Sequence, residues 1–217
     1  MTGLTLRGGP GARVDAEIEV KRSRFLCRLV RVRDEEMARA AVEQARKEHH
    51  GARHHCSAFV LGAADDPGQV RRSNDDGEPS GTAGAPMLEA LTGRHLMDCV
   101  AVVTRYFGGV LLGAGGLVRA YSDAVLAGID TAGAAGLLVA RERRDLFSLA
   151  LPHADAGRVE AELRRHPGTA VLDVGYGERA VLRLSGDAAE LSARVAAATA
   201  GTGELRALGQ EWVDVEA

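Results

Sequence analysis

The sequence has few cysteines, few aromatic residues and no long apolar run. Its three cysteines, Cys27, Cys56 and Cys99, lie in apolar stretches without CxxC or CxxxH spacing, so neither a disulfide framework nor a metal site is predicted. No cofactor is predicted either. No apolar run approaches the roughly 18 residues of a membrane span, and residues 1–11 lack the layout of a signal peptide. We therefore expect a cytoplasmic protein with reduced thiols and no membrane partner.

The sequence also has no large excess of positive or negative charge. The 27 basic and 30 acidic residues give a net charge of −3 and a pI near 6.2, which argues against a globally basic nucleic-acid binder. A local basic patch remains compatible with these totals. Arginine supplies all but two of the basic residues. RNA recognition would explain this preference, but the composition of a GC-rich genome is the favoured explanation.

Apolar periodicity predicts an α+β protein with two domains, residues 1–136 and 137–217. In the first, we expect strands at 12–20, 24–32, 54–62 and 96–107, and helices at 34–49, 85–91 and from Gly115 or Gly116 to 131. Residues 63–81 are predicted to be a long loop, and residues 132–136 a linker. The second domain is predicted as strand 137–151, helix 154–165, strands 169–174 and 179–184, helix 187–199 and strand 204–215, a ferredoxin-like βαββαβ order.

A polar turn, residues 73–86, leads into the helix predicted at 85–91. Its carboxylates could hold Mg²⁺ or act as a general base. Alternatively, the turn bonds its own backbone and caps the helix, through Ser80 or Thr82. A strand places His54 on the same face as Cys56 and opposite to His55, so no catalytic pair is assigned; the family resemblance named below is what adds His54 to this group. The candidate polar-loop residues are His54, Asp75, Asp76, Glu78, Ser80 and Thr82.

A glycine-rich segment, residues 104–121, joins the end of a strand to the start of a helix. Free amides at such a helix start bind anions, although tight helix–strand packing also requires small residues. Six basic residues and no acid lie between Lys21 and Arg33, which is typical of a solvated face or of a surface that follows a phosphate backbone. We expect this segment and the polar turn to form one surface site. The candidate phosphate or nucleic-acid contacts are Lys21, Arg24, Arg28, Arg105, Tyr106, Gly115, Gly116 and Arg119.

Five motifs together resemble the YigZ/IMPACT family: Lys21–Phe25, Ala52–Cys56, Asp75–Ala83, Thr104–Gly109 and Gly115–Tyr121. The resemblance implies a first domain similar to domain IV of elongation factor G and a second similar to its domain V. Eukaryotic relatives act in translational control, interfering with activation of a stress kinase partly through an additional N-terminal domain, so the kinase role is not implied here. For bacterial members the resemblance implies nucleic-acid or ribosome association without an established reaction.

We therefore expect a non-enzymatic, translation-linked regulatory protein that binds RNA, the ribosome or another phosphate-bearing partner, such as a small molecule. The alternative is a Mg²⁺-dependent enzyme acting on a nucleotide or phosphorylated metabolite, with the phosphate at residues 113–119 and Asp75, Asp76 or Glu78 at the ion. A third interpretation makes the acidic loop an internal clamp that pairs with Arg105 and Arg119. The oligomeric state is not predicted.

Overall fold

A computed structural model describes residues 3–215. The strands are β1 (Gly3–Leu6), β2 (Arg13–Val20), β3 (Ser23–Arg31), β4 (His54–Leu61), β5 (Val70–Asn74), β6 (Cys99–Tyr106), β7 (Leu138–Leu151), β8 (Ala170–Tyr176), β9 (Ala180–Ser185) and β10 (Leu205–Val215). The helices are α1 (Glu35–Glu48), α2 (Gly84–Gly93), α3 (Ala114–Ala134), α4 (His153–Arg164) and α5 (Ala188–Ala198). The chain forms two compact units; the first runs to Arg141 and takes in Asp214, and the second is Glu142–Val213. The predicted two-domain α+β class is confirmed.

The first unit is built on an antiparallel sheet in the order β2-β3-β6-β4-β5. Alternation along β3 places Phe25, Cys27 and Leu29 on one face, where they join the main core with residues of α2 and α3. The other face contributes Val100 and Val102 of β6 to a second core cluster that includes α1. Helices thus cover both faces of this sheet, and the alternation predicted for β3 is confirmed.

Helix α1 begins directly after Asp34, the residue predicted to cap it. The Asp34 carboxylate accepts a hydrogen bond from the Met37 amide over 2.8 Å, and Glu35 and Glu36 occupy the first turn. A carboxylate at this position satisfies an amide that has no partner within the helix, and negative charge is favoured there by the helix dipole.

The second unit has the ferredoxin-like arrangement. Strand β7 pairs antiparallel with β9 from Leu146 to Leu151, β9 pairs antiparallel with β8, and β10 pairs with β7. The resulting order β10-β7-β9-β8 is that of a βαββαβ fold whose two helices cover one core. Leu149 and Leu182 of the sheet pack there with Leu163 of α4 and Leu191 of α5. The predicted order of elements is confirmed.

Three parts of the first unit differ from the predicted pattern, and one of them is β1, a strand that was not predicted. Strand β5 lies inside the stretch predicted to be loop. The sequence did not indicate this strand because its residues are largely exposed at the sheet edge and only Val70 is apolar. Helix α3 continues to Ala134, so the first part of the predicted linker is helical and Ala132 is fully buried. The small residues of this stretch, which had suggested a linker, allow the helix to pack closely against the core. No helix within residues 3–215 is long and apolar enough to cross a membrane.

Candidate functional site

The two polar segments meet at a buried ion pair. Arg105 of β6 donates from Nη1 to Oε1 of Glu78 over 2.6 Å, and the side chains are only 8% and 4% exposed. The Tyr121 hydroxyl of α3 donates to the same oxygen over 2.7 Å. Burial raises the pKa of Tyr121 above its usual range. The prediction that the segments lie together is therefore supported, but this contact is inside the fold and not on an open surface.

The Arg105 guanidinium also lies between aromatic rings. Its Cζ is 5.5 Å from the centre of the Phe25 ring and 5.7 Å from that of Phe107. Phe25 in turn packs edge-to-face against Tyr121 at 5.2 Å. These contacts stabilise a cation in a site with little water, so Arg105 is held by both charge and aromatic packing.

Asp75 organises the start of α2. Its Oδ1 accepts hydrogen bonds from the Ala83 and Gly84 amides over 3.0 and 2.8 Å, and Oδ2 accepts one from Gly81 over 2.8 Å. Burial alone would raise the pKa of Asp75, yet the three amides hold it below its usual value. The predicted cap by Ser80 or Thr82 is wrong, because the loop folds back and presents Asp75 to the helix start instead.

Asp76 connects the loop to α1 and β4. Its carboxylate accepts hydrogen bonds from Arg46 Nη2 and from the His55 amide, each over 2.7 Å. Its carbonyl lies 2.9 Å from Nδ1 of His54. Burial lowers the pKa of the His55 imidazole. The residue adopts a left-handed backbone conformation with φ of 42°, which these bonds maintain.

The remaining loop residues have local roles. The Thr82 hydroxyl donates to the Pro79 carbonyl over 2.7 Å, and Ser80 is exposed. Cys56 donates from Sγ to the Asp75 carbonyl at 3.0 Å, and burial raises the pKa of that thiol to about 12. Within residues 3–215, no group of three or more His, Cys, Asp or Glu side chains is arranged to hold a metal ion.

The basic strip predicted along β3 is largely neutralised. Arg24 pairs with Glu17 through two hydrogen bonds of 2.6 and 2.9 Å. Arg28 pairs with Asp15 over 2.9 Å and with Glu48 over 2.7 Å, and its hydrogen bond lowers the pKa of Glu48 to about 2. These two arginines carry charge that neighbouring acids already balance.

The turn between β2 and β3 is the exception. Lys21 and Arg22 form its two residues, both exposed, and neither has an ion pair or hydrogen bond to another residue of the described part of the chain. Their φ angles are 47° and 67°, the left-handed conformation that such a turn requires and that Asn-Gly adopts most easily. Non-glycine residues there are strained.

The turn is held against the glycine-rich segment. The Gly108 amide donates to the buried Ser23 hydroxyl over 3.1 Å. A Cβ on Gly108 would lie 2.0 Å from backbone atoms of Arg22, so only glycine permits this approach. Segment 107–113 therefore has a fixed position beside the Lys21–Arg22 turn.

Helix α3 starts next to the same turn. Gly113 is its cap, no side chain bonds the first amides, and no acid occupies the first turn. A cavity of about 430 Å³ here is lined by Lys21, Gly115, Gly116, Arg119 and one acid, Asp123. Arg119 is exposed and has no ion pair to any residue between 3 and 215. Two glycines of the first turn of α3 and two cations without an ion pair among the described residues thus line one cavity.

The predicted nucleic-acid contacts therefore fall into three groups. Lys21, Gly115, Gly116 and Arg119 lie together, Arg24 and Arg28 are paired with acids, and Arg105 is buried. Tyr106 lies on the opposite face of β6 from Arg105, where its hydroxyl is 3.1 Å from Nδ1 of His49. Arg22 belonged to the predicted basic strip and Phe107 was a candidate for stacking on bases, but neither was among the predicted site residues. The predicted strands left residues 21–23 between them, so the two-residue turn was not recognised.

Comparison with known proteins agrees with this architecture. The Impact N-terminal domain family matches residues 21–129, half of the chain. The chain belongs to the IMPACT family. The matched region begins at the Lys21 turn and ends within α3, so it contains both the buried ion pair and the cavity at the start of α3. The predicted YigZ/IMPACT resemblance is confirmed.

Individual members of the IMPACT family show how far the similarity extends. Family member YvyE of Bacillus subtilis is 46% identical over 148 residues, 68% of this chain and 65% of that protein. Family member YigZ of Escherichia coli is 53% identical over 116 residues, 54% of this chain and 56% of that protein. This chain thus spans less than two thirds of the length of these curated relatives. A crystal structure of a hypothetical protein is 35% identical, covering 97% of this chain and 98% of that one, with a TM-score of 0.62.

Proposed function

We propose that this protein is a non-enzymatic translation regulator that binds RNA phosphates, free or within the ribosome, at the start of α3. The observation that carries the proposal is the Lys21–Arg22 turn, in which two unpaired cations occupy strained backbone positions beside an uncapped helix. Strain of this kind is retained where the surrounding structure enforces it, and it concentrates at binding sites.

The chemistry of the cavity fits a phosphate group. Amides at a helix start and the positive end of the helix dipole both attract anions. Lys21 and Arg119 add two charges that no neighbouring acid neutralises by direct contact within the described chain. Asp123, which also lines the cavity, reduces this positive potential. The affinity for one phosphate alone should therefore be modest, and a polymer with several phosphates is favoured.

Membership of the IMPACT family supports a translation-regulatory role, and we propose the cytoplasm as the site of action. The enzyme alternative receives less support from the geometry. Asp75, Asp76 and Glu78 all accept hydrogen bonds from protein donors, but only Glu78 pairs with Arg105, as the internal-clamp interpretation predicts. Arg119 takes no part in that clamp.

The proposal is tested by measuring binding of a fluorescently labelled RNA to the full chain by anisotropy. Lys21→Ala and Arg119→Ala should each weaken binding, roughly 3- to 10-fold, because each removes one phosphate contact. Arg24→Ala is the matched control, since it removes an exposed arginine of the same hairpin whose charge Glu17 balances. Binding by the Lys21→Ala, Arg119→Ala double variant that equals wild type would overturn the proposed site.

A further inference from the structure

A second cavity also borders segment 107–113. It has a volume of about 600 Å³ and is lined by Gly51, Arg53, His54, Arg105, Tyr106, Phe107 and Leu111. Phe107 and Leu111 border this cavity, and Leu112, Gly115 and Gly116 border the phosphate cavity. A single ligand that crosses segment 107–113 can therefore occupy both.

The second cavity is polar and contains one cation, Arg53, that is exposed and has no ion pair with any residue between 3 and 215. Glu78 balances the charge of Arg105 through the 2.6 Å hydrogen bond to Nη1. The buried Nε of Arg105 has no hydrogen-bond partner among the described residues. A guanidinium whose charge is balanced but whose donors are not all used suits a neutral group with hydrogen-bond acceptors better than it suits a second phosphate.

The wall formed by Phe107 suits a planar group. This side chain is 56% exposed, although it sits on backbone that Gly108 holds against the Lys21–Arg22 turn. The Arg105 guanidinium lies 5.7 Å from the ring centre and covers only part of the ring. An aromatic ring on a fixed backbone that remains half exposed loses little conformational entropy when a base stacks on it.

We propose that this second cavity binds an unstacked base of single-stranded RNA on Phe107, while an adjacent phosphate lies at the start of α3. The inference rests on the proposed function and specifies the form of RNA that the site selects. In a duplex the base faces are covered by their neighbours, whereas single-stranded RNA is recognised through splayed bases that stack on aromatic side chains.

The test compares a mixed-sequence RNA strand of about 12 nucleotides, within the site sizes of single-strand binders, with the same sequence as a blunt duplex. Wild-type protein should prefer the single strand. Phe107→Ala should weaken single-strand binding roughly 5- to 150-fold, as expected for loss of one stacked base, and leave duplex binding unchanged. Phe107→Trp should restore the preference, because it retains a stacking surface.

Two further measurements separate stacking from general effects. A 2-aminopurine base in the strand should change its fluorescence on binding to wild type and to Phe107→Trp, but not to Phe107→Ala. Tyr176→Ala is the matched control, since it removes another exposed ring, on β8 of the second unit, and should bind as wild type does.

The outcomes distinguish this inference from the function it rests on. If wild type binds neither form of RNA, the proposed function and the inference both fail. If wild type binds RNA in a manner that depends on Lys21 and Arg119, but Phe107→Ala retains full single-strand affinity, the function stands and the base site is wrong. Exposure of Phe107 and Leu111 would then belong to a protein contact.

Discussion

Arg105 and Glu78 form an ion pair of 2.6 Å between strand β6 and the polar loop, and water has almost no access to either side chain. The partners are 27 residues apart, so this pair fixes the loop to the sheet only when the fold is complete. Its position beneath Phe107 links the interior of the first unit to the proposed binding surface.

Loss of the Glu78 charge should destabilise the first unit. Glu78→Gln leaves the Arg105 cation buried without a counter-charge, and breaking a buried pair in this way costs about 3–5 kcal/mol. Urea unfolding followed by circular dichroism measures the change. Glu19→Gln, an exposed acid on β2, should alter the free energy of unfolding by less than about 0.5 kcal/mol. Equal stability of the two variants would contradict a structural role for the pair.

Replacing both residues of the Lys21–Arg22 turn should stabilise the protein and weaken its binding to RNA. Replacing the turn by Lys21→Asn and Arg22→Gly gives residues that adopt positive φ more easily, so the free energy of unfolding should rise by about 1 kcal/mol. RNA binding should weaken, because both cations are removed. Thermal unfolding and anisotropy on the same variant measure the two effects. A variant that is no more stable than wild type would show that the turn is not strained.

Gly108→Ala should disturb the contact between the turn and segment 107–113. Its Cβ would lie 2.0 Å from the backbone of Arg22, and overpacking of this kind typically costs about 1–3 kcal/mol. Gly93→Ala is the control, because a Cβ at that end of α2 meets no atom within 4 Å. A lower melting temperature is expected for Gly108→Ala alone, and equal melting temperatures would argue against the close approach.

Asp75 should make stability depend on acid pH. Its pKa is below the usual value in the folded protein, so its contribution is present above the unfolded pKa, about 3.9, and is lost as the pH falls through the folded pKa. Asp75→Asn should lower the free energy of unfolding at pH 7 by about 0.5–2 kcal/mol, as for other cap residues, and should reduce its loss between pH 5 and pH 2. Unfolding curves across this range test the prediction, and an unchanged pH profile would contradict it.

Local patterns predicted the fold better than the site. The start of α1 at Asp34 and the apolar alternation of β3 depend only on residues that are neighbours along the chain, so both could be predicted from the sequence. The partner of Arg105 depends on tertiary folding and was only one of three interpretations. The pairing of Arg28 with Asp15 follows from a two-residue turn, whereas the predicted strands 12–20 and 24–32 left three residues between them and did not set this register. Strand β5 could not be predicted from apolar alternation, because an exposed edge strand does not require it.

The salt dependence of RNA binding tests the central claim most directly. In a plot of log affinity against log salt concentration, each phosphate contact contributes about 0.7 to the slope for a single strand. The Lys21→Ala, Arg119→Ala double variant should therefore lose about 1.4 from the slope, whereas Arg24→Ala should retain the wild-type value. A double variant with the wild-type slope would contradict phosphate binding at the start of α3.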